Sequence, residues 1–272
     1  FSSRFLIAEV CDCTRWIQQS RSSNHYNDCP AGASHAFIDQ LHKAMDDSHF
    51  VLVPAVMDEV RKQNSLTLVK KNKFMEFSCK EITSEVLSYL EKGQSVAPGD
   101  VFAISILGPH GKRYVLGSMH GDTNGLTSLP MMDALHKCVS ERYADQVVIV
   151  GIDANTIRKE NKKSESVLNF HRKTQEMEMG SCWKEEEWDV SWTTCSARTF
   201  IQPQLQKAQG SSNALSKETT QLKDWILFYN WQLWLEEVHR DNTGVGVFEE
   251  KVMPTMSFPS DHALVSATLN LR

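Results

Sequence analysis

The run Val147-Val148-Ile149-Val150 is β-branched throughout and leads into Gly151-Ile152-Asp153-Ala154-Asn155. A segment of this kind fits an apolar strand, and period-2 alternation places Asp153 and Asn155 on one face at its end. Three other segments share the layout. Tyr114-Val115-Leu116 leads to Ser118-Met119-His120-Gly121-Asp122-Thr123-Asn124-Gly125. In Leu222-Lys223-Asp224-Trp225-Ile226-Leu227-Phe228 one carboxylate precedes an aromatic-rich strand. Phe258-Pro259-Ser260-Asp261-His262-Ala263-Leu264-Val265 delivers an Asp-His pair into an apolar run. Such a chain must bring several strand ends to one cleft.

The segments between these strands alternate. Phe37, Leu41 and Ala44 stand at helical spacing within 36–45, and Phe50 to Val53 reads as a strand. Ile82, Val86 and Leu90 mark a second helix before a strand over Val101 to Leu107; Pro109-His110-Gly111 then turns the chain into a strand over Arg113 to Met119. Pro130 opens a helix whose Met132, Leu135 and Val139 face inward. A helix through Val167, Phe170 and His171 follows the charged stretch Lys159 to Glu165, while Lys184 to Glu187 and Gln204 to Gln221 read as surface loops. Helix-strand alternation broken by hairpins implies an α/β fold with a mixed sheet.

Length and composition set the outer limits. With 272 residues, 41% hydrophobic and 23% charged, the chain is large enough for a core that needs no disulfide or metal staple. The polar motifs span almost the whole length, so a single domain over 1–272 is expected. No apolar run reaches the roughly 18 residues that a membrane span needs. Seven cysteines, odd in number and irregularly spaced, argue against a secreted disulfide framework and for a reducing, intracellular compartment. Cys11, Cys13, His25 and Cys29 fit no standard zinc spacing. A net charge of -5 disfavours binding along many phosphates of a long nucleic acid. Local basic loops remain available in Lys70, Lys71 and Lys73 and in Arg158, Lys159, Lys162 and Lys163, although a solvated face is the better explanation of them.

Each polar strand end has a chemistry. A carboxylate and an imidazole fixed at a strand mouth can bind a divalent cation and handle a proton on the same water. Asp153 can accept a proton or ligate a metal, and Asn155 can donate to an anionic oxygen. Asp122 and Asn124 lie in Asp-Thr-Asn-Gly, which is turn chemistry first. Trp225, Trp231 and Trp234 read as core or rim aromatics before base-stacking platforms.

Taken in order, Phe5-Leu6-Ile7-Ala8-Glu9-Val10, His120, Asp153-Ala154-Asn155, Asp224 before a strand, and Ser260-Asp261-His262 resemble the motifs of the endonuclease/exonuclease/phosphatase superfamily typified by deoxyribonuclease I. The resemblance implies a four-layer α/β/β/α sandwich of two packed mixed sheets flanked by helices. It further implies an Mg²⁺-dependent phosphodiesterase or nuclease, with Mn²⁺ as a substitute, acting on RNA, DNA or a nucleotide-like diester as a monomer. Under it Glu9 and Asp261 are the metal ligands and Asp224 orients His262. Asp153 positions or deprotonates water, His120 and Asn155 hold phosphate oxygens, and Asn124, Lys159 and Lys162 contact substrate. The chain departs from the family at Ala8, where Gln is usual, which makes Glu59 a rival to Glu9. Glu9 is preferred because the stretch Asn64 to Phe74 is similar to the strand after the family's first catalytic helix. The family's first strand, with its phosphate-site Asn, is expected before Glu9 and outside this numbering. A phosphomonoesterase acting on a small metabolite or lipid headgroup is the enzymatic alternative, and a catalytically inactive binding protein is the non-enzymatic one.

Overall fold

The computed structural model describes residues 3–5, 35–60, 63–158, 161–195, 220–255, 258 and 260–272. Its larger sheet has six strands in the order β4 (Met75–Glu81), β5 (Val101–Leu107), β6 (Arg113–His120), β7 (Val147–Asp153), β11 (Asp224–Tyr229) and β8 (Met179–Ser181). β6 and β7 pair in parallel, and the other neighbours are antiparallel, so the sheet is mixed as expected. All seven residues of β7 and all six of β11 are buried. Burial on both faces requires a layer above and a layer below.

The layer below comes from helices. α2 (Thr83–Leu87), α3 (Ser128–Arg142) and α4 (Val167–Glu176) cover one face, α3 through Met131, Met132, Leu135 and Val139 and α4 through Val167 and Phe170. α3 is the crossover that parallel pairing of β6 with β7 demands. It begins at Ser128, two residues before Pro130. α4 begins where the Ser166 hydroxyl accepts a hydrogen bond from Asn169 N at 3.1 Å, a side-chain N-cap.

The opposite face meets a second layer of strands. β13 (Leu264–Leu271) lies between β1 (Ser3–Phe5) and β12 (Leu233–Asp241), and β2 (His49–Leu52) pairs with β3 (Thr67–Lys70). Val265, Ala267 and Leu269 of β13 and Val69 of β3 join the same core as the six-stranded sheet. Each fully buried aliphatic side chain there contributes about 1.5–3 kcal/mol over its exposed state. α1 (His35–Met45) packs outside β2, with Phe37, Ile38 and Leu41 against Val51 and Leu66. The result is the four-layer α/β/β/α sandwich. A two-residue ladder of β9 (Thr194–Cys195) with β10 (Thr220–Gln221) completes the strands, so the end of the stretch expected as a surface loop is paired.

β4, β8 and β12 were not anticipated, nor was the short β9–β10 ladder. β4 is an edge strand whose residues are mostly exposed, although Met75, Phe77 and Cys79 alternate with polar residues at strand spacing. In β12 a bulge between Leu235 and Glu237 shifts the alternation, so Leu233, Leu235 and Val238 reach the core out of period. Among the described residues no helix is long and apolar enough to cross a membrane, and Cys79, Cys138 and Cys182 are free thiols.

Candidate active site

Strand register brings the polar strand ends together. The parallel β6–β7 ladder places His120 opposite Asp153, and the antiparallel β7–β11 ladder places Asp224 opposite the same Asp153. Three chain segments far apart in sequence therefore end side by side on adjacent strands. The tight turn after β6 closes the arrangement: Gly121 N donates to Asp153 O at 2.7 Å, and a Cβ at Gly121 would lie 2.1 Å from Ser128 Oγ. Gly125, at φ +72, approaches Ala154 O so closely that a Cβ would stand 2.5 Å away.

His262 arrives from the second sheet. It bridges to Thr194 just before β13, and the Ser260 hydroxyl both accepts from His262 N (3.0 Å) and donates to His262 O (2.8 Å). Its Nδ1 lies 3.0 and 3.1 Å from the two carboxylate oxygens of Asp224, and its Nε2 faces Asp153 Oδ2 at 3.9 Å. On the other side of Asp153, His120 Nε2 lies 3.7 Å from the same Oδ2, and His120 Nδ1 lies 3.6 Å from Asp100 Oδ1. The latter is an ion-pair distance, too long for a direct hydrogen bond. Asp100, Asp153 and Asp224 are all buried.

This alternation of carboxylates and imidazoles sets the charge state. Burial disfavours the imidazolium of His262, but Asp224 and Asp153 outweigh it and push its pKa up to about 10. Burial also works against His120, yet the Asp100 and Asp153 carboxylates hold its pKa above the ordinary value. Donor atoms of Asp153, Asp224 and His262 lie within 4.8 Å of one another, a group that could hold a metal ion.

Asn155 lies just past the end of β7, at φ 49, so it is not the next residue of an alternating strand. It reaches Asp153 instead by a turn: its N–H donates to Asp153 Oδ1 at 2.9 Å, and its Nδ2 to Gly121 O at 3.0 Å and Asp153 Oδ2 at 3.3 Å. The remaining expected residues are not among these contacts. Asp261 is exposed and outside the three-residue donor cluster, and Lys162 is exposed. Asn124 is exposed in a turn organised by Asp122, whose carboxylate accepts from Asn124 N and Thr127 N. Glu59 is exposed and lies 3.4 Å from His35 Nδ1. Glu9 and Lys159, like Cys11, Cys13, His25 and Cys29, lie outside the described residues.

Three residues that the sequence did not single out complete the surroundings. Asp100 lies 3.6 Å from His120 because the β5–β6 hairpin pairs Val101 with Met119; counting that register back from the turn would have found it. Thr193 ties the two sheets: its Oγ1 accepts from Lys223 N (3.0 Å) and Asp224 N (3.2 Å), and its carbonyl accepts from Ala263 N (2.7 Å). Lys223 Nζ donates to Asn155 Oδ1 at 2.7 Å.

The structure aligns with known ones over most of its length. It is similar to an endonuclease/exonuclease/phosphatase family protein from Leptotrichia buccalis, with TM-score 0.54 and 13% identity over 92% of this chain and 83% of that one. It is likewise similar to D. rerio TDP2 complexed with single strand DNA product, with TM-score 0.53 and 10% identity over 88% of this chain and 83% of that one. The chain has the endonuclease/exonuclease/phosphatase fold. The human Nocturnin catalytic domain with bound sulfate anion shares that fold, with TM-score 0.51 and 12% identity over 88% of this chain and 79% of that one. No protein-family model and no curated protein matches the sequence. In the endonuclease/exonuclease/phosphatase fold of this chain, then, the five residues His120, Asp153, Asn155, Asp224 and His262 meet at one edge of the sandwich.

Proposed function

We propose that the chain is a single metal-dependent phosphoric ester hydrolase domain that cleaves a phosphodiester of RNA, DNA or a nucleotide-like molecule by in-line attack of water. The observation that carries this reading is the Asp224–His262 pair aimed at Asp153, with both carboxylates buried. Two solved neighbours carry relevant ligands in their own structures, a single strand DNA product in one and a tetrahedral sulfate anion in the other.

The residues fit a divalent cation in part. Asp153 offers the hard oxygens that Mg²⁺ prefers, whereas Asp224 and His262 Nδ1 are committed to each other. Mg²⁺ keeps several waters, so few protein ligands suffice, and Glu9 is the further carboxylate expected. Mg²⁺ or Mn²⁺, when bound, neutralises the negative charge that builds on the phosphoryl and leaving oxygens.

The protein's own groups divide the proton work. With a pKa near 10, His262 is an imidazolium at neutral pH, and this suits it to donate a hydrogen bond to a phosphoryl oxygen or a proton to the leaving group. Asp153, flanked by both imidazoles, is the acceptor that orients or deprotonates water. His120 sets a second imidazole at the same carboxylate, its pKa held above the ordinary value by Asp100 and Asp153 against the effect of burial.

A panel assay with Mg²⁺ against single-stranded RNA, abasic duplex DNA and inositol phosphates tests the reading. Turnover of a diester by the wild type and not by His262→Ala supports it. Turnover of inositol monoesters alone points to a phosphomonoesterase, and no turnover of any substrate by the full-length protein points to an inactive binding protein.

A further inference from the structure

Lys223 lies in the two-residue link between β10 and β11, next to Asp224, and it brings an ammonium group to this cluster. Its backbone is fixed on both sides, by its N–H to Thr193 Oγ1 (3.0 Å) and by its carbonyl, which accepts from Ala154 N (2.8 Å). The half-buried side chain donates to Asn155 Oδ1 at 2.7 Å. That contact settles the orientation of the Asn155 amide: its oxygen faces the ammonium and its NH₂ faces Gly121 O and Asp153 Oδ2. Both amide hydrogens of Asn155 are thereby spent inside the protein. An ammonium has three, and the contact to Asn155 takes one. Among the described residues no carboxylate lies within ion-pair distance of Lys223 Nζ.

We propose that Lys223, and not Asn155, contacts the non-bridging oxygen of the substrate phosphate, while Asn155 is a positioning residue that aligns the ammonium with Asp153. This rests on the hydrolase reading. Sequence alone assigns the anion-holding role to Asn155 because an amide two residues beyond Asp153 has a donor to offer. The hydrogen bonds above leave that donor occupied and place a cation one amide group farther out.

The test is equilibrium binding of inorganic phosphate by titration calorimetry at low ionic strength, paired with steady-state kinetics on the best diester from the panel. Lys223→Met is expected to weaken phosphate binding about 10- to 100-fold, the worth of a charge-assisted hydrogen bond, and to raise KM more than it lowers kcat. Lys223→Arg should keep most of the binding, and Asn155→Ser should lose less than Lys223→Met. Lys223→Gln, which retains a donor for Asn155 Oδ1 without the charge, serves if the methionine variant fails to fold, and it should bind phosphate as poorly. Phosphate binding lost in Lys223→Met with no diester turned over by the wild type would uphold the Lys223 assignment and sink the hydrolase reading. Turnover by the wild type with unchanged phosphate binding in Lys223→Met and Lys223→Gln would overturn the assignment and leave that reading standing. No phosphate binding by the wild type, or a larger loss in Asn155→Ser than in Lys223→Met, also overturns it.

Discussion

Asp224 holds both of its carboxylate oxygens against a single nitrogen of His262, at 3.0 and 3.1 Å from Nδ1, which turns Nε2 toward Asp153. The pair joins the two sheets, since Asp224 opens β11 and His262 precedes β13.

Residues that act as one unit are not additive. Asp224→Asn and His262→Ala should each lower kcat by about 10²- to 10⁴-fold, and the double variant should lose little more than the worse single one. Single-turnover rates on the diester identified by the panel check this. Fully multiplicative losses in folded variants would mean that the two side chains work independently.

The same pair makes stability depend on pH. The folded pKa of His262, about 10, lies above its ordinary 6.5, so the native state holds a proton that the unfolded chain releases. Its stabilisation is complete below about pH 6.5 and is lost as pH rises through about 10. Urea midpoints followed across that window should fall more steeply for the wild type than for Asp224→Asn. Parallel curves would refute the coupling.

Hard oxygen donors dominate the candidate metal site among the described residues. Activity should therefore vanish with a chelator and return with Mg²⁺ or Mn²⁺, while zinc alone restores little. Chelator-resistant hydrolysis measured in the same assay would contradict the assignment.

Gly125 tests how the turn shapes the site. Its φ of +72 and the 2.5 Å approach of Ala154 O leave no room for a side chain, so Gly125→Ala should cost about 1–3 kcal/mol in urea unfolding. Activity should drop further than stability does, because the displaced carbonyl lies between Asp153 and Asn155. An unchanged unfolding midpoint would show that the turn relaxes without cost.

The site was legible where side-chain type and strand end coincide. The runs before His120 and Asp153 and the run after Asp224 are apolar enough to be strands without any coordinates, and each of these residues does stand at the end or start of a buried strand. What the sequence hid depends on pairing. Asp100 meets His120 only through hairpin register, and Thr193 acts through backbone groups of residues on two sheets. Asn155 and Lys223 meet through a left-handed turn that alternation does not foresee. β12 escaped because a bulge moves its apolar residues out of phase.

The register that aligns His120, Asp153 and Asp224 has a kinetic corollary. His262 and its carboxylate partner are 38 residues apart in the chain, and the parallel β6–β7 ladder closes only after the whole α3 crossover is in place. Contacts of such long sequence separation form late and slowly. No fragment that ends before His262 holds the complete cluster, and β13 holds that residue's segment against the second sheet, so competence should emerge together with the last long-range strand pairing, and a ribosome-bound or truncated chain should be compact before it is active.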